Sequence, residues 1–152
     1  MQKKNVQQVN RDIALLAQFL VIKLTGALDE CHELGYEVAL FEGFRFPERQ
    51  QALYDQGRSK PGKIVTYAKP GESFHQYGLA VDIVGKVNGK WDWSIDYYDK
   101  ITEIFVRHGF ETLKFEKAHF QITGGMKVQK AAKIAKEQGL LALWSIVEQS
   151  LK

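Results

Sequence analysis

Two imidazoles and a carboxylate occur in an order that suits a metal ion. The run Ser73-Phe74-His75-Gln76-Tyr77-Gly78-Leu79-Ala80-Val81-Asp82 holds one of each. Glu116-Lys117-Ala118-His119 adds a second imidazole and, three residues ahead of it, another carboxylate. Catalytic zinc takes three protein ligands and keeps a position open for water. A carboxylate beside the ion, left unligated, can move the proton of that water. These are the components of a metallohydrolase.

Each residue also has a plainer use. Asp82 sits among Leu79, Ala80, Val81, Ile83 and Val84, where an unpartnered carboxylate is costly to bury. A metal ion would satisfy it, and so would an arginine or a cap. His119, between Ala118 and Phe120, reads alone as a core histidine bonded to a carbonyl. With His75 and Asp82 it becomes a third ligand, since neutral imidazole suits zinc. Glu116, next to Lys114 and Lys117, is either a solvated charge or a base beside the metal. Arg45, in Glu42-Gly43-Phe44-Arg45, can hold a substrate carboxylate or a developing oxyanion, or can pair with Glu42 or Glu48. Ser73 is a substrate contact or a turn residue. Other chemistries lack their parts. There is no Gly-x-Ser-x-Gly elbow and no phosphate-binding glycine motif. Cys31 lies mid-helix, with His32 facing another direction.

The elements that must position these residues follow from periodicity. Apolar residues from Ile13 to Leu34 recur at helical spacing and predict a helix over Asn10–Leu34, stopped by Gly35. Tyr36–Phe41 reads as a strand, and Pro47 opens a second helix ending near Gly57. Arg58–Glu72, rich in Gly, Pro and Lys, reads as a long surface loop, a length often tied to function. Leu79–Val84 is a strand, followed by a hairpin turning at Asn88-Gly89. Ile95–His108 is an amphipathic helix. Phe110–Phe115 and His119–Ile122 are short strands. The tail, residues 127–152, is helical and breaks at Gly139. The expected fold class is α+β: one domain over 1–152, with a small antiparallel sheet packed against helices and the zinc site at the sheet.

Composition narrows the class. The 152 residues are 45% hydrophobic and 12% aromatic, enough for a core. The single cysteine excludes an internal disulfide. Net charge is +3, without the dense basic stripe that nucleic-acid binding needs. No stretch is long enough to span a membrane. Lys3 and Lys4 precede an apolar run from Ala14 to Ile22. Arg11 and Asp12 lie just before it, Lys23 closes it, and no small-x-small site follows cleanly, so no export signal is read.

The pattern Ser-x-His-x-x-Gly-x-Ala-x-Asp, followed by an acidic residue three before His-Phe, resembles the LAS metallopeptidases. These include D-alanyl-D-alanine carboxypeptidases and dipeptidases and the L-alanyl-D-glutamate endopeptidases of phage and bacteria. Glu42–Gln56 and Gly57–Thr66 are similar to the endolysin-like endopeptidase branch. The resemblance covers about Asn10 to Ile122. It implies one zinc ion held by His75, Asp82 and His119, with Glu116 as catalytic base. It implies Arg45 at the substrate carbonyl and Ser73 as a substrate contact. The chain departs from the family at Glu111–Phe115, where a Trp-Gly-Gly segment is common, and at Ala118, where proline is usual.

The expectation is a monomeric zinc peptidase acting on the stem peptides of peptidoglycan, foremost at the L-alanyl-D-glutamate bond. The alternatives are a D-alanyl-D-alanine carboxypeptidase, a zinc-binding wall-recognition module without catalysis, and a metal-free core. The basic loop from Arg58 to Lys69 is expected to meet the acidic wall. Without an export signal, the protein would be made in the cytoplasm and reach the wall by another route, a phage-encoded pore in the endolysin case.

Overall fold

Asp12 interrupts the helix predicted from Asn10. In the computed structural model, which describes residues 6–152, Asp12 accepts from the Ala14 N–H at 3.0 Å and caps a 3-10 turn at Ile13–Leu15. Ala17 is extended (φ −56°, ψ 131°), and helix α1 starts only at Gln18, running Gln18–Glu33. The break has a structural use. The Ala17 N–H donates to Gly78 O at 3.0 Å and ties the entry of α1 to the turn that bears His75. Lys3 and Lys4 lie outside the described residues.

The strands are β1 (Val38–Glu42), β2 (Ala80–Val87), β3 (Lys90–Asp92), β4 (Glu111–Leu113) and β5 (Glu116–Gln121). All pair antiparallel. β1, β2, β5 and β4 lie side by side in that order, and β3 pairs with the far end of β2. The β2–β3 hairpin turns on Asn88 (φ 54°) and Gly89 (φ 76°), the paired positive φ of a two-residue loop. β2 is central, which explains its apolar run.

The remaining helices are α2 (Pro47–Asp55), α3 (Tyr98–Arg107), α4 (Val128–Gln138) and α5 (Leu140–Ser150). The expected α+β arrangement is what the chain adopts. α1 buries Phe19, Leu20, Leu24, Ala27 and Cys31, and α3 packs Phe105 onto Phe120 of β5 with ring centroids 4.5 Å apart. The tail is part of the core. Leu143 and Val147 of α5 are fully buried, and Trp144 donates its indole N–H to Tyr77 O at 2.7 Å. Among the described residues no helix is long and apolar enough to cross a membrane.

Glu30 of α1 clamps the end of α3. It pairs with Arg107, and with His108 Nε2 at 2.8 Å. The hydrogen bonds from Arg107, then His108, hold its carboxyl down at about 2. The folded protein therefore keeps Glu30 ionised where the unfolded chain protonates it. Its contribution is complete above about pH 4.5 and is lost as the pH falls towards 2. Glu30→Gln should flatten this part of the acid limb in urea titrations across that window. An acid limb that keeps its slope would show that the clamp does not couple to folding.

Candidate active site

The sheet register brings the polar residues together. Asp82 stands opposite His119 on β5 and opposite Glu42 on β1. His75 comes from a 3-10 turn, Phe74–Tyr77, whose cap Ser73 accepts from the His75 N–H at 3.3 Å. The turn ends at Gly78 with φ 69°. A β-carbon there would lie 2.8 Å from Leu15 O and 2.9 Å from the Trp144 ring, so only glycine fits between α1 and α5.

Three candidate ligand atoms converge. His75 is 1% exposed, and its Nδ1 donates to Gly43 O at 2.8 Å. A carbonyl only accepts, so Nδ1 carries a proton, and Nε2 is turned to Asp82 Oδ1 at 3.2 Å. On His119, Nε2 meets Gln121 Oε1 at 2.7 Å. This turns Nδ1 towards Asp82 Oδ1 at 3.8 Å and Glu116 Oε2 at 3.8 Å. Atoms of His75, Asp82 and His119 lie within 4.8 Å of one another. Nitrogen and oxygen atoms converging at this range can share a proton or a metal ion. Two imidazoles and one carboxylate are zinc ligands, and the bonded far nitrogens are the usual support for such a site.

Electrostatics agrees. Burial would raise the Asp82 carboxyl, but His75, Arg45 and His119 together hold it down at about 2. Burial, then the charge of His75, lowers His119 to about 4, which keeps its imidazole neutral at pH 7 as a metal requires. Burial and the neighbouring Asp82 raise Glu116. Burial pushes the Cys31 thiol up to about 11, so it offers no thiolate.

Arg45 faces more protein than expected. Its Nη2 donates to Asp82 Oδ2 at 3.1 Å and its Nη1 to Gln50 Oε1 at 3.2 Å. Its Nε lies 3.2 Å from Glu42 Oε1 but makes no hydrogen bond. Glu42, buried, also takes Arg49 Nε at 2.9 Å. Gln50, fully buried, donates to Ala68 O at 2.7 Å. A chain of polar contacts thus joins the Asp82 carboxylate to the loop after α2.

That loop is one wall of a cleft of about 1300 Å³. Arg45, Ser73 and the three ligand residues line it, with Trp93 and Phe115 at other walls. Glu116 is half exposed and lines it beside the triad. Sequence reasoning missed Gln50 and Gln121. Gln121 had a signal, because two residues along a strand share a face with His119. Gln50 had none, because its partners come from three different segments.

If the triad binds zinc, Gln121→Leu should weaken zinc roughly 10- to 100-fold by freeing the His119 ring. Asp82→Ala should abolish stoichiometric binding. Competition titration with a chromogenic chelator measures both. Unchanged affinity in Asp82→Ala would place the metal elsewhere.

The family model for VanY, D-alanyl-D-alanine carboxypeptidase, matches residues 14–129. The peptidoglycan L-alanyl-D-glutamate endopeptidase CwlK of Bacillus subtilis (strain 168) is 42% identical over 92 residues, 51% of this chain and 52% of CwlK. The chain therefore spans about half the length of that relative. The LdcB LD-carboxypeptidase superposes with a TM-score of 0.57 at 24% identity, over 92% of this chain and 76% of that one. A vancomycin-resistance D,D-pentapeptidase VanY variant in complex with Zn(II) gives 0.53 at 23% identity, over 100% and 88%. At such identities the two structures speak for the fold. With residues 14–129 of 152 matched, the chain belongs to the VanY family of D-alanyl-D-alanine carboxypeptidases.

Proposed function

We propose that this protein is a zinc-dependent peptidase of the bacterial cell wall that cuts the L-alanyl-D-glutamate bond of the peptidoglycan stem. The observation that carries the reading is the convergence of His75 Nε2, Asp82 Oδ1 and His119 Nδ1 in an open cleft with Glu116 beside them. The likeness to CwlK supports the choice of bond. The size of the cleft supports a polymeric substrate, since it exceeds what most small ligands fill.

His75, Asp82 and His119 would hold a zinc ion, which when bound would supply Lewis acidity and lower the pKa of water. The protein's own groups do the rest. Glu116 takes the proton of the attacking water and returns it to the leaving amine nitrogen. Arg45 holds Asp82 by Oδ2, which leaves Oδ1 directed at the imidazoles. The same guanidinium lines the cleft, where its charge opposes that growing on the carbonyl oxygen. Ser73 fixes the His75 turn through its Oγ and is available to substrate at the cleft wall.

The second reading is a D-alanyl-D-alanine carboxypeptidase, favoured by the family description. Defined muropeptides separate the two. Cleavage between L-alanine and D-glutamate supports the first, and release of free D-alanine supports the second. Under either, Glu116→Gln should keep zinc while turnover falls roughly 10²- to 10⁴-fold, as loss of a general base does. Zinc-loaded Glu116→Gln with near-normal turnover would remove Glu116 from the mechanism.

A further inference from the structure

An indole stands at the cleft with more than half of it exposed. Trp93 is 56% exposed and lines the same cleft as the metal-binding triad. A single exposed tryptophan is unremarkable by itself. The setting of this one is not. Asp92 Oδ1 accepts from Ser94 N at 2.8 Å and from Ser94 Oγ at 2.6 Å, so a closed turn holds Trp93 on both sides. Phe41 packs against it edge-to-face, with centroids 4.8 Å apart. Phe41 is itself the extra residue of a β1 bulge, between the pairs Leu40–Ile83 and Glu42–Asp82. Bulges re-aim side chains, often next to active sites.

The neighbouring rings are used differently. Arg11 lies over Phe41 at 5.1 Å and over Trp91 at 4.8 Å, and Lys86 lies over Trp91 at 4.5 Å. Elsewhere in the cleft, Lys114 lies over Phe115 and Arg58 over Tyr67. Among the described residues no cation lies over Trp93, and Phe41 is its one ring contact. Much of the indole is therefore uncovered at the cleft wall, with Phe41 behind it.

Substrate chemistry says what such a face would meet. The amino group of the stem L-alanine is acylated by the lactyl group of N-acetylmuramic acid. A pyranose ring thus follows the scissile carbonyl at about two residue lengths, roughly 7 Å of extended chain. Phe41 is one residue step and one strand spacing from Asp82, about 3.8 Å and 4.8 Å, and Trp93 rests on Phe41. The C–H face of a pyranose presents weakly positive hydrogens to the negative face of an aromatic ring. A D-alanyl-D-alanine bond is about five residue lengths from the sugar, roughly 17 Å, and would not bring the ring there.

We propose that Trp93, backed by Phe41, is a saccharide subsite that stacks the N-acetylmuramoyl ring of the glycan strand. The inference rests on the endopeptidase reading and names the substrate form it prefers: stem peptide still joined to glycan.

The test compares N-acetylmuramoyl-L-alanyl-D-glutamate with N-acetyl-L-alanyl-D-glutamate on the zinc-loaded protein. The sugar-linked compound should have the higher kcat/KM by about tenfold, through KM, the scale of one aromatic contact. Trp93→Ala should bring the ratio to about one, and Trp93→Tyr, which keeps an aromatic face, should retain most of it. The Trp93 indole N–H resonance should shift with the sugar-linked compound and not with the acetyl one. A ratio that survives Trp93→Ala, or an indole signal that ignores the sugar, overturns the subsite. A sugar-specific indole shift with cleavage of neither compound sustains the subsite and overturns the endopeptidase reading.

Discussion

One negative charge in the middle of a buried strand governs this architecture. Asp82 belongs to β2, whose other residues are mostly apolar and sequestered. An unpaired carboxylate there would cost several kcal/mol or more. The fold answers with a guanidinium on one oxygen and two imidazoles on the other. That division explains the site. Arg45 satisfies Oδ2, and Oδ1 is left facing two nitrogens whose far sides are already engaged by Gly43 and Gln121. This set of two imidazoles and one carboxylate could hold a divalent cation.

The remaining elements hold that geometry. His119 reaches Asp82 by cross-strand register, so a slip of one residue between β2 and β5 would send it to the opposite face. His75 depends on a turn held from two directions, by Ala17 of the α1 entry and by Trp144 of α5. The C-terminal helices thus support a ligand far from them in sequence. The loop after α2 is coupled as well, through Ala68, Gln50 and Arg45. Movement of that cleft wall would be felt at the ligand carboxylate.

Much of this was legible in the residues. Asp82 stood out because a carboxylate within an apolar strand needs a partner. Gly78, between two candidate ligands, meets a backbone need with φ 69° in a packed surrounding. The Asn88-Gly89 turn and the break at Gly139 were local signals that the tertiary structure obeys. What could not be read was what tertiary contact decides. Apolar spacing carried the first helix back to Asn10, but Asp12 caps a separate turn and Ala17 gives its N–H to Gly78. Arg45 read as a substrate contact or a partner of Glu42 or Glu48; that its fork reaches Asp82 and Gln50 while its Nε lies 3.2 Å from Glu42 is decided by tertiary contact. Residues such as Gln50, joining three segments, leave no periodic trace.

The most direct measurement is the zinc K-edge absorption spectrum of the zinc-loaded protein, taken beside that of Asp82→Ala. Two imidazole nitrogens at about 2.0–2.1 Å and oxygen ligands at about 2.0–2.2 Å, with this pattern lost in Asp82→Ala, are the expected result. A zinc environment without two imidazoles, or one that is the same in Asp82→Ala, would contradict a metal centre built on that carboxylate.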